Sequence, residues 1–269
     1  MNNGVINWWN HRSDEYYGSI QKGIDDIFDR ADRAFPIVVW EMIRNNFPDL
    51  RGKRVLVPSS GDNIAVFGFH LLGAKVTSCD ISERQLYNAK QVADKYGWTI
   101  GFIRQDSMEL ADIPNSTYDL VYTSNGVHVW IPDLPKMYGN FNRVLKPDGK
   151  YIMFETHPFC RPFDTSNAEI KVKKPYTNTG PFVSEVKTGT ITEFGWRIMD
   201  LFNAVFDSGF SIMHMEEFSP GKDEYDNYFY SHHQEAKEDG HKKHDWKINP
   251  WAALPQCIGF SARKAGAKT

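Results

Sequence analysis

The stretch Lys53-Arg-Val-Leu-Val-Pro-Ser-Ser-Gly-Asp-Asn63 runs into Ile64-Ala-Val-Phe-Gly-Phe-His-Leu-Leu-Gly73 and then Ala74-Lys-Val-Thr-Ser-Cys-Asp80. Its pattern reads as strand, tight turn, helix, strand and acid, the crossover unit of a parallel sheet. Ile64, Phe67, Gly68 and Leu71 follow helical spacing. Asp80 closes the second apolar run about 20 residues after the turn, where a carboxylate can accept two hydrogen bonds from a ribose diol. The turn itself offers backbone N–H groups to the polar part of such a ligand. The order is that of a nucleoside-cofactor site.

The pattern continues downstream. Ser82 to Gln85 predicts a capping box, Leu86, Ala89 and Ala93 continue one helical face, and Gly97 ends that helix. A third strand near Thr99 to Arg104 leads into Gln105-Asp106-Ser107-Met108, and a fourth spans Tyr118 to Ser124. Leu134, Met137, Tyr138, Phe141, Val144 and Leu145 share one face of an amphipathic helix. Lys146-Pro-Asp-Gly149 reads as a turn and Lys150 to Glu155 as the fifth strand. Residues 157–190 lack a long period. Thr190 to Glu193 predicts a second capping box, ahead of a helix on Ile198, Leu201, Phe202 and Val205. Phe210 to Phe218 and Gln256 to Arg263 read as two final strands around a polar, aromatic and His-bearing stretch, 219–251. The two irregular stretches read as insertions on one sheet.

Composition narrows the function. The 269 residues suit one elaborated α/β domain, and 31 Lys+Arg against 34 Asp+Glu give a net charge of -3. That balance argues against nucleic acid or an anionic membrane as partner. Met1-Asn-Asn-Gly4 has no signal-peptide core, and the longest apolar run, Ala65 to Ala74, is too short to span a bilayer. Cys79, Cys160 and Cys257 are widely spaced and odd in number, so a reduced, cytoplasmic protein is expected. His232, His233, His241 and His244 lack the thiolate or fixed partner of a zinc site, and no metal is expected.

The chain resembles the class I S-adenosylmethionine-dependent methyltransferases over residues 50–156, and more loosely over its last helix and two strands. Val55 to Asn63 stands at the glycine-rich first motif, Asp80 at the ribose-binding acid and Asp106-Ser107-Met108 at the adenine-binding segment. Tyr118-Asp-Leu-Val-Tyr122 with Val144 to Gly149 matches the fourth-strand motif and the turn before the fifth. The resemblance implies a doubly wound, mostly parallel seven-stranded sheet with an antiparallel final strand and cap insertions. A single domain, 1–269, would comprise an N-terminal helical lid (1–48), a cofactor-binding core (50–156) and substrate-side insertions (157–190 and 219–251). It further implies S-adenosylmethionine as cofactor and methyl transfer as reaction, with a small-molecule acceptor expected. The expected cofactor residues are Pro58, Ser59, Ser60, Gly61, Asp62, Asp80, Ile81, Gln85, Asp106, Ser107, Met108, Ser124, Asn125 and Gly126. Trp9 and Tyr17 join them from the aromatic arm Trp8 to Tyr17, which resembles a lid.

The first motif departs from the family pattern. The family's acid near Val57 is absent, and of its glycines only Gly61 remains. Asn63 can adopt positive φ in place of a glycine. Asp62 is either the charge partner of the methionine amine or a cap for the helix at Ile64. The G-x-G-x-x-G fingerprint of a nicotinamide-dependent oxidoreductase does not fit Ser59-Ser-Gly-Asp-Asn-Ile64, although that class is the alternative enzyme. A non-catalytic S-adenosylmethionine-binding module is a third reading, motivated by the weakened motif.

Methyl transfer is an in-line displacement, so orientation is the protein's main task and can supply about 7–11 kcal/mol. A hydroxyl or acidic-carbon acceptor would also need a base. Asn125 is a candidate for orienting the nucleophile. His128, in the loop after the fourth strand, and His157, after the fifth, are candidate bases or else packed structural histidines.

Overall fold

A computed structural model describes residues 3–218, 242 and 244–265. Its central sheet has seven strands: β1 (Arg54–Pro58), β2 (Lys75–Asp80), β3 (Gly101–Arg104), β4 (Tyr118–Thr123), β5 (Leu145–Thr156), β8 (Phe210–Phe218) and β9 (Cys257–Lys264). Their order is β3-β2-β1-β4-β5-β9-β8. The first five are mutually parallel, and β9 runs antiparallel to both neighbours, β5 and β8. The chain reverses outward from β1 in both directions, so β1 and β4 flank the switch point where such sheets bind ligands.

Among the described residues six α-helices flank the sheet: α1 (Asn3–Phe28), α2 (Ile37–Asn46), α3 (Ile64–Leu71), α4 (Glu83–Tyr96), α5 (Leu134–Val144) and α6 (Ile198–Asp207). The central strands β1, β4 and β5 are apolar on both faces, as covered parallel strands must be. Val55 and Val57 of β1, Leu120 and Tyr122 of β4, and Ile152 and Phe154 of β5 share one core with Ile24, Val39, Ile43, Val66 and Phe69. The alternate residues Leu56, Val121, Tyr151 and Met153 join Met137, Tyr138, Phe141, Leu201 and Val205 on the other face. Period-two alternation thus distributes these three strands between two helical layers.

Local chemistry sets the boundaries. Gly97, at φ 67°, closes α4 in the left-handed conformation, and the Asp133 side chain accepts from Lys136 N to cap α5. The Lys146 to Gly149 turn is absorbed into the sheet as a bulge, because Tyr118 pairs with Leu145 but Leu120 pairs with Lys150.

Two expectations from the sequence need correction. Thr190 to Glu193 does not cap a helix: it lies in β7 (Gly189–Glu193), paired antiparallel with β6 (Phe182–Val186) inside the stretch read as irregular. Thr192 pairs with Val183, and α6 opens later, with the Arg197 N–H and guanidinium both bonded to Asp200. At α4, Ser82 Oγ accepts from Gln85 N at 3.1 Å, but the Gln85 side chain does not reach back. It accepts from Ser13 Oγ of α1 at 3.0 Å instead, so half of the expected box is replaced by an interhelical bond.

Candidate active site

The turn after β1 carries three alternate residues with left-handed backbone: Ser59 (φ 51°), Gly61 (φ 54°) and Asn63 (φ 63°). Two of these are not glycine, and such conformations cost of order 1–3 kcal/mol each. Side-chain bonds hold both. Ser59 Oγ lies 2.8 Å from Ser107 Oγ. Asn63 Nδ2 donates to Gly61 O at 2.7 Å and to Tyr17 Oη at 3.1 Å, while its Oδ1 accepts from Ser78 Oγ at 2.5 Å. Asn63 is fully buried, and it substitutes for a glycine by making its side chain part of the turn.

Asp80 ends β2 beside this turn. Its Oδ2 accepts from Gly61 N at 3.1 Å and its Oδ1 from Ser82 N at 2.8 Å. A carboxylate has about four acceptor positions, so two remain for a ligand. Burial, only partly offset by these backbone bonds, pushes its carboxyl up to about 6. Asp106 follows β3, and its Oδ1 accepts from Met108 N at 2.9 Å.

These groups open onto a cavity of about 340 Å³. Its wall includes Ser59, Gly61, Asp80, Ile81, Asp106, Ser107 and Met108, then Asn125, Gly126 and Val127 from the loop after β4. Val5 and Trp9 of α1 and Trp130, Ile131, Pro132, Thr192 and Phe194 complete it with Gln105. Trp9 meets Trp130 edge-on, with centroids 5.8 Å apart. The hairpin is pinned to the same loop: Phe194 N donates to Val129 O at 2.8 Å, and Trp196 Nε1 to Ile131 O at 2.9 Å.

Ten expected cofactor residues therefore share one wall: Trp9, Ser59, Gly61, Asp80, Ile81, Asp106, Ser107, Met108, Asn125 and Gly126. Tyr17, Pro58, Ser60, Asp62, Gln85 and Ser124 are not part of it. Tyr17 supports Asn63, and Gln85 docks α1. Ser60 is buried, with its N–H on Cys79 O. Asp62 Oδ1 accepts from Ile64 N at 3.1 Å, which is the capping alternative.

Of the two alternatives for each histidine, base or packed structural residue, the geometry bears on access alone: neither is part of the cavity wall. His128 Nδ1 lies 2.9 Å from Glu155 Oε2 and its Nε2 lies 2.7 Å from Tyr138 Oη, so both ring nitrogens are engaged in the interior. His157 Nδ1 accepts from Phe159 N and its Nε2 lies 2.9 Å from Glu217 Oε1. Burial holds His157 below its ordinary range against the pull of Glu217. Asn125 does line the cavity, but its Oδ1 already accepts from Thr156 N at 3.1 Å and Thr156 Oγ1 at 2.5 Å.

Val5, Gln105, Val127, Trp130, Ile131, Pro132, Thr192 and Phe194 were not among the expected residues. Trp130 had a signal, an aromatic in a loop at the carboxyl edge of the sheet. Thr192 and Phe194 had none, because their pattern reads as a helix start. Of the four histidines weighed as metal ligands, His232, His233 and His241 lie outside the described residues. Among the described residues no three His, Cys, Asp or Glu side chains converge.

The residues present fit S-adenosylmethionine. Gly61 and Gly126, both at positive φ, line the cavity, and a Cβ built on either meets no atom within 4 Å. The backbone there leaves open room for a ligand. Asp80 offers two acceptor positions to a ribose, and the two cavity carboxylates give the negative potential that suits a sulfonium.

Comparison with known proteins agrees with this geometry. Residues 59–149 match the family model described as a methyltransferase domain. The chain is 26% identical over 176 residues to an uncharacterized methyltransferase, YbaJ, of Bacillus subtilis, covering 62% of this chain and 69% of that one. It is 25% identical over 149 residues to sterol 24-C-methyltransferase of Pneumocystis carinii, covering 55% of this chain but only 36% of that one. The crystal structure of an S-adenosylmethionine-dependent methyltransferase from Mesorhizobium loti superposes with a TM-score of 0.62 at 21% identity, covering 83% of this chain and 96% of that one. First-motif turn, strand-end acid, strand order and matched domain converge: residues 59–149 match a methyltransferase domain, and the fold is that of the S-adenosylmethionine-dependent methyltransferases, consistent with their class I.

Proposed function

We propose that the protein, as a single methyltransferase domain, transfers a methyl group from S-adenosylmethionine to a small, largely apolar acceptor by in-line displacement. The observation that carries this reading is the make-up of the cavity wall. Asp80 and Asp106 stand at strand ends, and the rest is dominated by Val5, Trp9, Val127, Trp130, Ile131, Pro132 and Phe194. The relative named for a sterol acceptor is in keeping with an apolar ligand. Buried, unpaired Cys79, Cys160 and Cys257 support a reducing, cytoplasmic setting. Among the described residues no helix is long and apolar enough to cross a membrane.

When bound, the cofactor supplies a methyl group already activated by a positive sulfur. The chain's residues then have to hold and shield it. Asp80 fixes the sugar, and Asp106, braced by the Met108 N–H, holds the base edge. Val5 and Trp9 from α1 and Phe194 after the hairpin exclude water from the acceptor side. Asp80 and Asp106 are the cavity's only ionisable side chains among the described residues, and both are placed for binding. The acceptor atom is therefore one that is nucleophilic without a base from this wall, such as a neutral amine, a thiolate or an electron-rich carbon.

The test is incubation of the protein with methyl-labelled S-adenosylmethionine and a cell extract separated by size. Label appearing in the low-mass fraction is the expected result. Label confined to protein or nucleic acid would overturn the small-acceptor reading.

A further inference from the structure

Glu155 lies near the carboxyl end of β5, is 1% exposed and is not part of the cavity wall. Its carboxylate nevertheless organises that wall. Oε1 accepts from Gly126 N at 2.8 Å, and Oε2 accepts from Val127 N at 3.0 Å and His128 N at 3.1 Å. Three successive backbone N–H groups thus converge on one anion, a nest built around a side chain rather than a ligand. Oε2 also accepts from His128 Nδ1, and Oε1 from Thr156 N at 2.8 Å. Arg161 Nη2 stands 3.8 Å away.

The proton positions follow. An ionised carboxylate only accepts, so His128 carries a proton on Nδ1. Burial pushes the Tyr138 phenol well above its ordinary range, so it stays protonated, with its Oη 2.7 Å from His128 Nε2. Burial opposes ionisation of Glu155, but the His128 bond, His128 and Arg161 charge and backbone donors outweigh it and hold the carboxyl below its ordinary range.

A buried carboxylate is a poor way to gain stability, because desolvation offsets most of its attraction. Its partners point to another role. All three amides belong to the loop whose residues Asn125, Gly126 and Val127 form cavity wall. Asn125 Oδ1 ties the same loop to Thr156, the neighbour of Glu155. We infer that Glu155 is a positioning residue: its carboxylate fixes the backbone of Asn125–Val127, and so the shape of the donor cavity, while its own side chain stays outside. The inference rests on this cavity being the S-adenosylmethionine site.

Glu155→Gln tests it. The amide keeps the volume but puts an NH2 group against backbone donors. S-adenosylhomocysteine is the probe, titrated calorimetrically into the full chain well below its melting temperature, with hydrogen exchange read on the same sample. The expected result is a Kd raised at least fivefold, with faster exchange at Gly126, Val127 and His128 and unchanged exchange in β1 and β2. A Kd raised less than fivefold overturns the inference even if the melting temperature falls, since a merely structural staple lowers stability without moving affinity in the folded range. If the amide variant does not fold, His128→Asn, which removes the link to Tyr138, is judged by the same fivefold criterion. Failure of the parent protein itself to bind the probe would instead sink the methyltransferase reading.

Discussion

Asp80 Oδ2 accepts the backbone N–H of Gly61 at 3.1 Å, so the acid after β2 and the turn after β1 are one hydrogen-bonded unit. The pair sits across the parallel ladder in which Pro58 is opposite Cys79. Replacing the carboxylate therefore has two effects. On the proposed binding mode it removes the acceptor for the ribose, and it leaves the Gly61 and Ser82 amides without their partner. Asp80→Ala is expected to weaken S-adenosylhomocysteine binding at least thirtyfold by calorimetry, with a loss of about 1–3 kcal/mol in denaturant unfolding from the unpaired donors. Unchanged affinity would mean that the nucleoside binds elsewhere.

The pH dependence of the same group has a definite sign. Burial raises the folded-state value of Asp80 to about 6, above the unfolded carboxylate at 3.8. The folded state therefore holds a proton that the unfolded state has already released. Between these values stability of the ligand-free protein falls as pH rises, through this group by at most about 3 kcal/mol. Ligand affinity runs the other way, because accepting two hydroxyls requires the carboxylate. Binding is expected to be pH-independent above about 7 and to weaken towards tenfold per unit below about 6. Calorimetry at pH 5.5 in two buffers of different ionisation enthalpy should show about three-quarters of a proton released on binding, and Asp80→Asn should abolish that release.

Asn63 offers a test of what substitutes for a glycine. At φ 63° a glycine would relax the backbone, and a stability gain is the first expectation. The side chain reverses it. Asn63→Gly removes the bonds to Gly61 O, Tyr17 Oη and Ser78 Oγ, all at 3.1 Å or less, and Ser78 is fully buried. The variant is expected to be destabilised by about 1–3 kcal/mol in denaturant unfolding. Increased stability would show that the turn is held by the backbone alone.

How far the sequence reaches is clear at this turn. Positive φ at Asn63 follows from its place in a first motif short of glycines, and the acids at 80 and 106 follow from strand-end spacing. Those are local signals, set by a few consecutive residues and the period-two pattern of β1 and β2. The apolar wall is different. Phe194 reaches the cavity only because β6 and β7 pair as a hairpin that lies against α1, and Val5 only because α1 docks on α4. Both depend on contacts far apart in sequence. His128 shows the opposite failure: its position beside the site is legible, but the partners that occupy both ring nitrogens, Glu155 and Tyr138, come from a strand and a helix read only as core. No periodicity marks a buried carboxylate as the acceptor for a neighbouring loop.

The docking of α1 supplies the last test. Ser13 is fully buried between the two helices, donating to Gln85 Oε1 at 3.0 Å and accepting from Asn88 Nδ2 at 3.0 Å. Asn10 Oδ1 accepts from Ser82 Oγ at 2.6 Å, and Asp14 bonds Arg84 at 2.8 Å and Asn88. The exposed Arg84–Asp14 pair contributes little on its own. The buried Ser13 pair is the sensitive element. Ser13→Leu inserts a bulky side chain where there is no space and leaves Gln85 without its partner, at about 1–3 kcal/mol for each effect. Because α1 carries Val5 and Trp9 into the cavity wall, loosening it should open the donor site. S-adenosylhomocysteine affinity is expected to fall about tenfold, matched by Trp9→Ala, whereas Arg84→Ala should change it less than threefold. Limited proteolysis gives the independent readout: Ser13→Leu should be cut within α1 faster than the parent protein, and added S-adenosylhomocysteine should slow that cleavage. Equal cleavage with and without the ligand would mean that α1 lies on the core without closing the cavity.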